Sequence, residues 1–251
     1  MFGNSFGPTA FDLKFRLFGV AVSVHPTFWL GGLWFAQYSH GLLMVASIAT
    51  LFVSILTHEM GHALSGKYFG DRNPSVTLHM MGGYYMPGNA LRHKQFIWMV
   101  LWGPMAGFFL GGLAVGAWFG MVFGLIPITP MLTTVAWDAM WINIIWGVVN
   151  LMPVFPLDGG ALFREVIRWK VPSRDDVFSY TVSMVSAVVL ALLMAAGSFY
   201  FGYTPSIFLG ALAFQNYQLR AQAILIRKYG SGEADEPRQP WQQDPDWWKK
   251  N

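Results

Sequence analysis

The chain has 251 residues, of which 54% are hydrophobic, 17% aromatic and 12% charged, against about 25% charged in a soluble domain. That composition excludes an ordinary soluble globule and points to an integral membrane protein. The absence of cysteine excludes disulfides and thiolate metal sites, so any metal ion would have to be held by nitrogen and oxygen. The basic residues behind the net charge of +3 are scattered between apolar segments rather than gathered in a patch, so no nucleic-acid partner is expected.

No short apolar core with a small-residue cleavage site precedes Lys14, so the first apolar stretch is expected to be retained. Phe11, Leu13, Phe15 and Leu17 alternate with Asp12, Lys14 and Arg16, the period of an amphipathic strand at the membrane surface. About six stretches then have the length that crosses a hydrocarbon core of about 30 Å. They are residues 18–38, 41–68, 96–125, 132–152, 177–201 and 205–217 or a little beyond. The first is interrupted by His25-Pro26, and the last grades into a basic segment. Between the second and third, Val76, Leu78 and Met80 alternate with Thr77 and His79 ahead of Gly82-Gly83 and Tyr84-Tyr85. This reads as strand, tight turn, strand, whose free edge could take an extended peptide by strand addition; a surface loop with turn glycines fits the same residues. The expected fold is an all-α polytopic membrane protein with a short interfacial hairpin, formed by residues 1–229. Residues 230–251, polar apart from Trp241, Trp247 and Trp248, read as a flexible cytoplasmic tail.

Lys and Arg order these crossings. Lys14 and Arg16 precede the first; Lys67, Arg72, Arg92 and Lys94 lie between the second and third. Arg164, Arg168, Lys170 and Arg174 lie between the fourth and fifth, and Arg220, Arg227 and Lys228 follow the sixth. The other three connections carry none. Such alternation predicts an even number of crossings with both termini in the cytoplasm. The plasma (inner) membrane is the expected location.

The second stretch ends in Thr57-His58-Glu59-Met60-Gly61-His62. Histidines four apart share a helix face and can reach one ion, while the glutamate between them can serve as a general base. Hydrocarbon penalises ionisable side chains unless they are paired, solvated or metal-bound, and three cluster here. The second crossing runs inward, so the cluster lies toward the cytoplasmic leaflet.

A catalytic zinc takes three protein ligands and keeps one open position. For the third, Glu165 sits in an amphipathic basic stretch and Glu233 and Glu236 in the tail; Asp138 falls near the opposite face. Asp158 follows two prolines and precedes Gly159-Gly160 on the cytoplasmic side. It reads equally as a ligand or as the N-cap of a helix over residues 161–169, and one residue can do both.

His58-Glu59-Met60-Gly61-His62 on an apolar helix, followed by Asn150-Leu-Met-Pro-Val-Phe-Pro-Leu-Asp158-Gly, resembles the site-2 protease family of intramembrane zinc metalloproteases. The resemblance covers most of the chain and implies a six-helix core of the minimal branch, without PDZ or cystathionine-synthase-like domains. It implies zinc bound by His58, His62 and Asp158, with Glu59 as catalytic acid/base. It also implies that Asn150 holds substrate or polarises its carbonyl, although the residue alone reads as a helix C-cap. Gly103, Gly107 and Gly111 are expected to permit close helix packing. The activity implied is hydrolysis of membrane-spanning or membrane-anchored proteins near the cytoplasmic leaflet, with the lipid bilayer as the other partner. Two rivals stay open: a metal-binding transporter or sensor, and a catalytically silent scaffold that binds membrane segments.

Overall fold

The computed structural model describes residues 9–80, 82–88, 91–171, 176–197 and 204–229. The chain divides into two compact units between Val171 and Pro172. Four helices among the described residues are long and apolar enough to cross a membrane: Leu42–Tyr68, His93–Val122, Pro130–Asn150 and Asp176–Ala196. The protein is a mostly helical integral membrane protein with one small sheet.

The first unit opens with strands β1 (Leu13–Leu17) and β2 (Val20–Val24), then helix α1 (Pro26–Phe35) and helix α2 (Leu42–Tyr68). β2 falls inside the first apolar stretch, where a helix is expected. Val20, Val22 and Val24 are all buried, whereas Ala21 and Ser23 between them are half-buried. β-branched residues at every second position fit a sheet with one packed face, and apolar content alone hides that period. His25 then caps α1, its side chain accepting from the Thr27 amide, and Pro26 supplies the φ of a first helical turn.

α2 ends in a turn that directs the next segment. Gly70, at φ +101°, donates from its amide to the Lys67 carbonyl, while the Asp71 amide donates to Gly66. This pair of bonds is the glycine-terminated helix end that lets the chain reverse. Strands β3 (Ser75–His79) and β4 (Gly82–Met86) follow, and the sheet order is β1-β2-β3-β4. β3 pairs parallel with β2 and antiparallel with β4. The expected hairpin is present, but Gly82 and Gly83 begin β4 rather than forming its turn.

Register fixes what faces α2. Phe15, Val22, Val76 and Tyr85 form one cross-sheet row, and Leu13, Val24, Leu78 and Gly83 another. Val20, Val22, Val24, Val76 and Leu78 pack with Phe28 of α1 and with Met60 and Ala63 of α2, so the sheet is bound to the half of α2 that carries His58 and His62. Burial of such side chains stabilises by about 1.5–3 kcal/mol each.

Helix α3 (His93–Val122) lies against α2; its first turn is closed by Gln95 accepting from the Arg92 amide. The fourth apolar segment is helix α4 (Pro130–Met140), a π-helical turn (Trp141–Ile145) and helix α5 (Trp146–Asn150). Helix α6 (Asp158–Lys170) completes the first unit. In the second unit, helix α7 (Asp176–Ala196) packs on helix α8 (Thr204–Tyr229). Ser179, Ser183 and Ala187, one turn apart, are buried small residues that allow close approach, and Arg220 donates to Thr181 Oγ1 at 2.9 Å. α8 runs on through the basic segment that the apolar pattern leaves out. The tail expected at 230–251, with Glu233 and Glu236, lies outside the described residues.

Candidate metal centre

His58 and His62 occupy one face of α2, with ring centroids 4.9 Å apart and Nε2 atoms 3.2 Å apart. Asp158 Oδ2 lies 3.0 Å from His58 Nε2 and 3.3 Å from His62 Nε2. The ligand atoms of these three residues fall within 4.8 Å of one another, and among the described residues they form the group able to hold a metal ion. His62 Nδ1 lies 2.9 Å from the Met99 carbonyl, which fixes the proton on Nδ1 and turns the Nε2 lone pair toward the cluster. Two imidazole nitrogens and one carboxylate oxygen suit zinc and leave a fourth position open.

The segment between α5 and α6 brings Asp158 there. Asp158 is the first residue of α6, but the N-cap position belongs to Leu157 and no side chain caps this helix end. The cap role is therefore not the one adopted; the carboxylate points at the histidines instead. A Cβ on Gly159 would overlap the Leu151 carbonyl, and one on Gly160 would overlap the Val154–Phe155 peptide, so the diglycine is what lets this loop fold beneath α6. Burial alone would raise the Asp158 carboxyl, but the charge and hydrogen bonds that His62 and His58 supply when protonated outweigh it and hold the group well below the usual carboxylate range.

Asn150 ends α5, and its side chain does not cap that helix. Its Nδ2 donates to Asp158 Oδ2 at 2.7 Å and lies 3.3 Å from His58 Nε2. Glu59 is 5% exposed, and its Oε2 has no hydrogen-bond partner among the described residues. β4 lies directly over it: a Cβ added at Gly83 would sit 2.8 Å from Glu59 Cδ. A buried carboxylate oxygen beside a three-ligand cluster is suited to exchange a proton with a small polar molecule held there.

Gly103 on α3 makes room for the centre, whereas Gly107 only borders it. A side chain at Gly103 would occupy the His62 ring, and a Cβ at Gly107 would meet Asn143 Oδ1 at 3.5 Å and His58 Nδ1 at 3.7 Å. Asn143, which the sequence patterns do not single out, is buried in the π-helical turn and donates from Nδ2 to Ser54 Oγ at 2.8 Å. Its one signal is that it is an amide inside an apolar segment. Asp71 and Tyr85 also escape the sequence patterns, and together they anchor β4. Among the described residues, Glu165, Asp138 and the other histidines stand apart from the cluster. Glu165 pairs with His93 at 2.6 Å, Asp138 bonds Ser47, His25 caps α1, and His79 lies against Tyr84.

Residues 119–196, which include Asn150 and Asp158, match Peptidase family M50. The chain is 29% identical over 160 residues to the putative zinc metalloprotease Rip3 of Mycobacterium tuberculosis, covering 62% of this chain and 39% of that protein. It is 26% identical over 163 residues to a zinc metalloprotease of Methanocaldococcus jannaschii, covering 62% and 45%. The chain thus spans less than half the length of these relatives. Stage IV sporulation protein FB of Bacillus subtilis is 23% identical over 224 residues, covering 83% of this chain and 72% of that protein. Among solved structures, the site-2 protease from Methanocaldococcus jannaschii shares the fold, with a TM-score of 0.55 and 22% identity over 82% of this chain and 95% of that one. These likenesses are consistent with the site-2 protease family.

Proposed function

We propose that this chain, consistent in sequence and fold with the site-2 protease family, is an intramembrane zinc metalloprotease that hydrolyses membrane-spanning or membrane-anchored proteins near the cytoplasmic leaflet. The observation that carries the reading is the convergence of His58, His62 and Asp158 beside the buried carboxylate of Glu59. In this reading His58 and His62 hold zinc through Nε2, and Asp158 through its carboxylate. Zinc, when bound, supplies a Lewis acid that brings the pKa of water near 7 and polarises a carbonyl. Glu59 takes a proton from the attacking water on its carboxylate and returns it to the departing amine nitrogen. Asn150 holds Asp158 in place and offers its amide to the substrate carbonyl.

A membrane-spanning helix shields its carbonyls in hydrogen bonds, so a substrate must be unwound before attack. β4 is an edge strand lying over Glu59, and its free side is suited to hold the unwound segment by strand addition.

The alternation of Lys and Arg supports six crossings with both termini in the cytoplasm, and the plasma membrane is the location proposed with them. α1, with 10 residues reaching about 15 Å, is the part of the first stretch that enters the bilayer, while β2 stays with the interfacial sheet, because hydrocarbon does not sustain an open sheet edge. α8 makes the sixth. Residues 1–229 form the protease domain, and residues 230–251 a cytoplasmic tail.

The test is a membrane-anchored peptide incubated with purified protein. Glu59→Gln should bind zinc as the wild type does and release no product. Cleavage by that variant at the wild-type rate would remove Glu59 from the reaction.

A further inference from the structure

β4 pairs with β3 along its length and lies over Glu59 at one end, and a single buried carboxylate ties its other end to the end of α2. Asp71 is 3% exposed and accepts from the Asn73 amide at 3.0 Å, from the Gly88 amide at 3.1 Å and from the Tyr85 hydroxyl. Its position is set by α2, because its own amide closes the helix end on the Gly66 carbonyl. Tyr85 reaches it by lying across Gly66, where any side chain would overlap the phenol ring. Glycines thus stand on both surfaces of the contact: Gly66 on the helix under Tyr85, and Gly83 on the strand over Glu59. Two residues of strand and two turns of the same helix are tied together at both ends.

We propose that Tyr85 and Asp71 are positioning residues that fix the height and register of β4 over Glu59, and so select the peptide bond presented for hydrolysis. This rests on the protease reading and on β4 as the substrate-holding strand. Strand addition repeats every two residues, so a β4 free to slide or tilt would admit substrate in more than one register. Burial and the Asp71 carboxylate both push the Tyr85 phenol up, so it stays a hydrogen-bond donor at any working pH.

Tyr85→Phe removes the donor and keeps the ring over Gly66; Asp71→Asn replaces the charged acceptor. Two measurements on the full chain in detergent or proteoliposomes test the proposal. Hydrogen exchange of the amides of residues 83–86 should become roughly tenfold faster or more in both variants, while the β1–β2 amides keep wild-type rates. With a membrane-anchored peptide substrate, KM should rise and mass spectrometry should find product ends at neighbouring bonds as well as the wild-type one, with zinc content unchanged. A merely structural loss would lower the active fraction without moving the cleavage position. Unchanged exchange at β4 in both variants, or a single unchanged cleavage position with unchanged KM, overturns the proposal. If wild type and Glu59→Gln prove equally inactive, the protease reading fails and so does register selection, while the exchange data still decide whether Tyr85 and Asp71 fix β4.

Discussion

Asn143 Nδ2 donates to Ser54 Oγ at 2.8 Å and to the Ala139 carbonyl at the same distance, tying the π-helical turn to α2 one turn before His58. π-helical turns widen the backbone spiral and re-aim a side chain, and here the re-aimed group braces the metal helix. Asn143→Ala should destabilise the protein by about 1–3 kcal/mol, because Ser54 loses its buried partner. Denaturant unfolding in a fixed detergent checks this; an unchanged midpoint would show that the bond contributes nothing.

The contact between Gly103 and His62 gives a sharper expectation. Gly103→Ala puts a methyl group where the imidazole lies, whereas Gly112 on the same helix has open space around it. Overpacking of this kind costs about 1–3 kcal/mol, and here it falls on a metal ligand. Gly103→Ala should lower zinc occupancy and cleavage together, and Gly112→Ala should leave both at the wild-type value. Metal analysis of the two purified variants is the check.

Asp158 and Asn150 should separate by degree. Asp158→Ala removes a ligand and should weaken zinc binding by more than the roughly 10–100-fold typical of losing an outer partner. Asn150→Ala removes no ligand, only the amide beside Asp158 and His58, and should fall within that smaller range. Competition with a zinc chelator gives both values, and equal loss in the two variants would contradict the assigned roles.

His79 supplies a pH dependence. Burial, and then the neighbouring His25, push its imidazole pKa down. An unfolded chain takes up a proton below about pH 6.5 while the folded His79 resists it, so this stability is present above that pH and is lost as pH falls below it. Unfolding between about pH 8 and about pH 5 should show wild type losing stability on acidification, with a shallower slope in His79→Gln. Parallel slopes would exclude His79 as the source.

The histidine pair of the candidate metal centre is the legible part, because a helix converts a four-residue spacing into a shared face. Spacing alone singles out His58, Glu59 and His62; Asp158 reads locally as ligand or N-cap alike, and Asn150 reads locally as a helix C-cap, so the resemblance and not the local pattern joins those two to the cluster. β2 was concealed because its valines count as membrane-spanning hydrophobicity as readily as they count as strand. Asn143 was concealed for another reason: the π-helical turn shifts the face that spacing assigns to it. The Tyr85–Asp71 bond joins segments whose approach depends on the turn at Gly70 and the sheet register together, and no single motif encodes both.

The most direct measurement follows cleavage of a membrane-anchored peptide in proteoliposomes while zinc is removed by chelation and then restored. Cleavage should disappear with the metal, return when about one zinc per chain is added back, and never appear with Glu59→Gln. Cleavage that persists in the metal-free protein would contradict the assignment of His58, His62 and Asp158 as the ligands of a catalytic zinc.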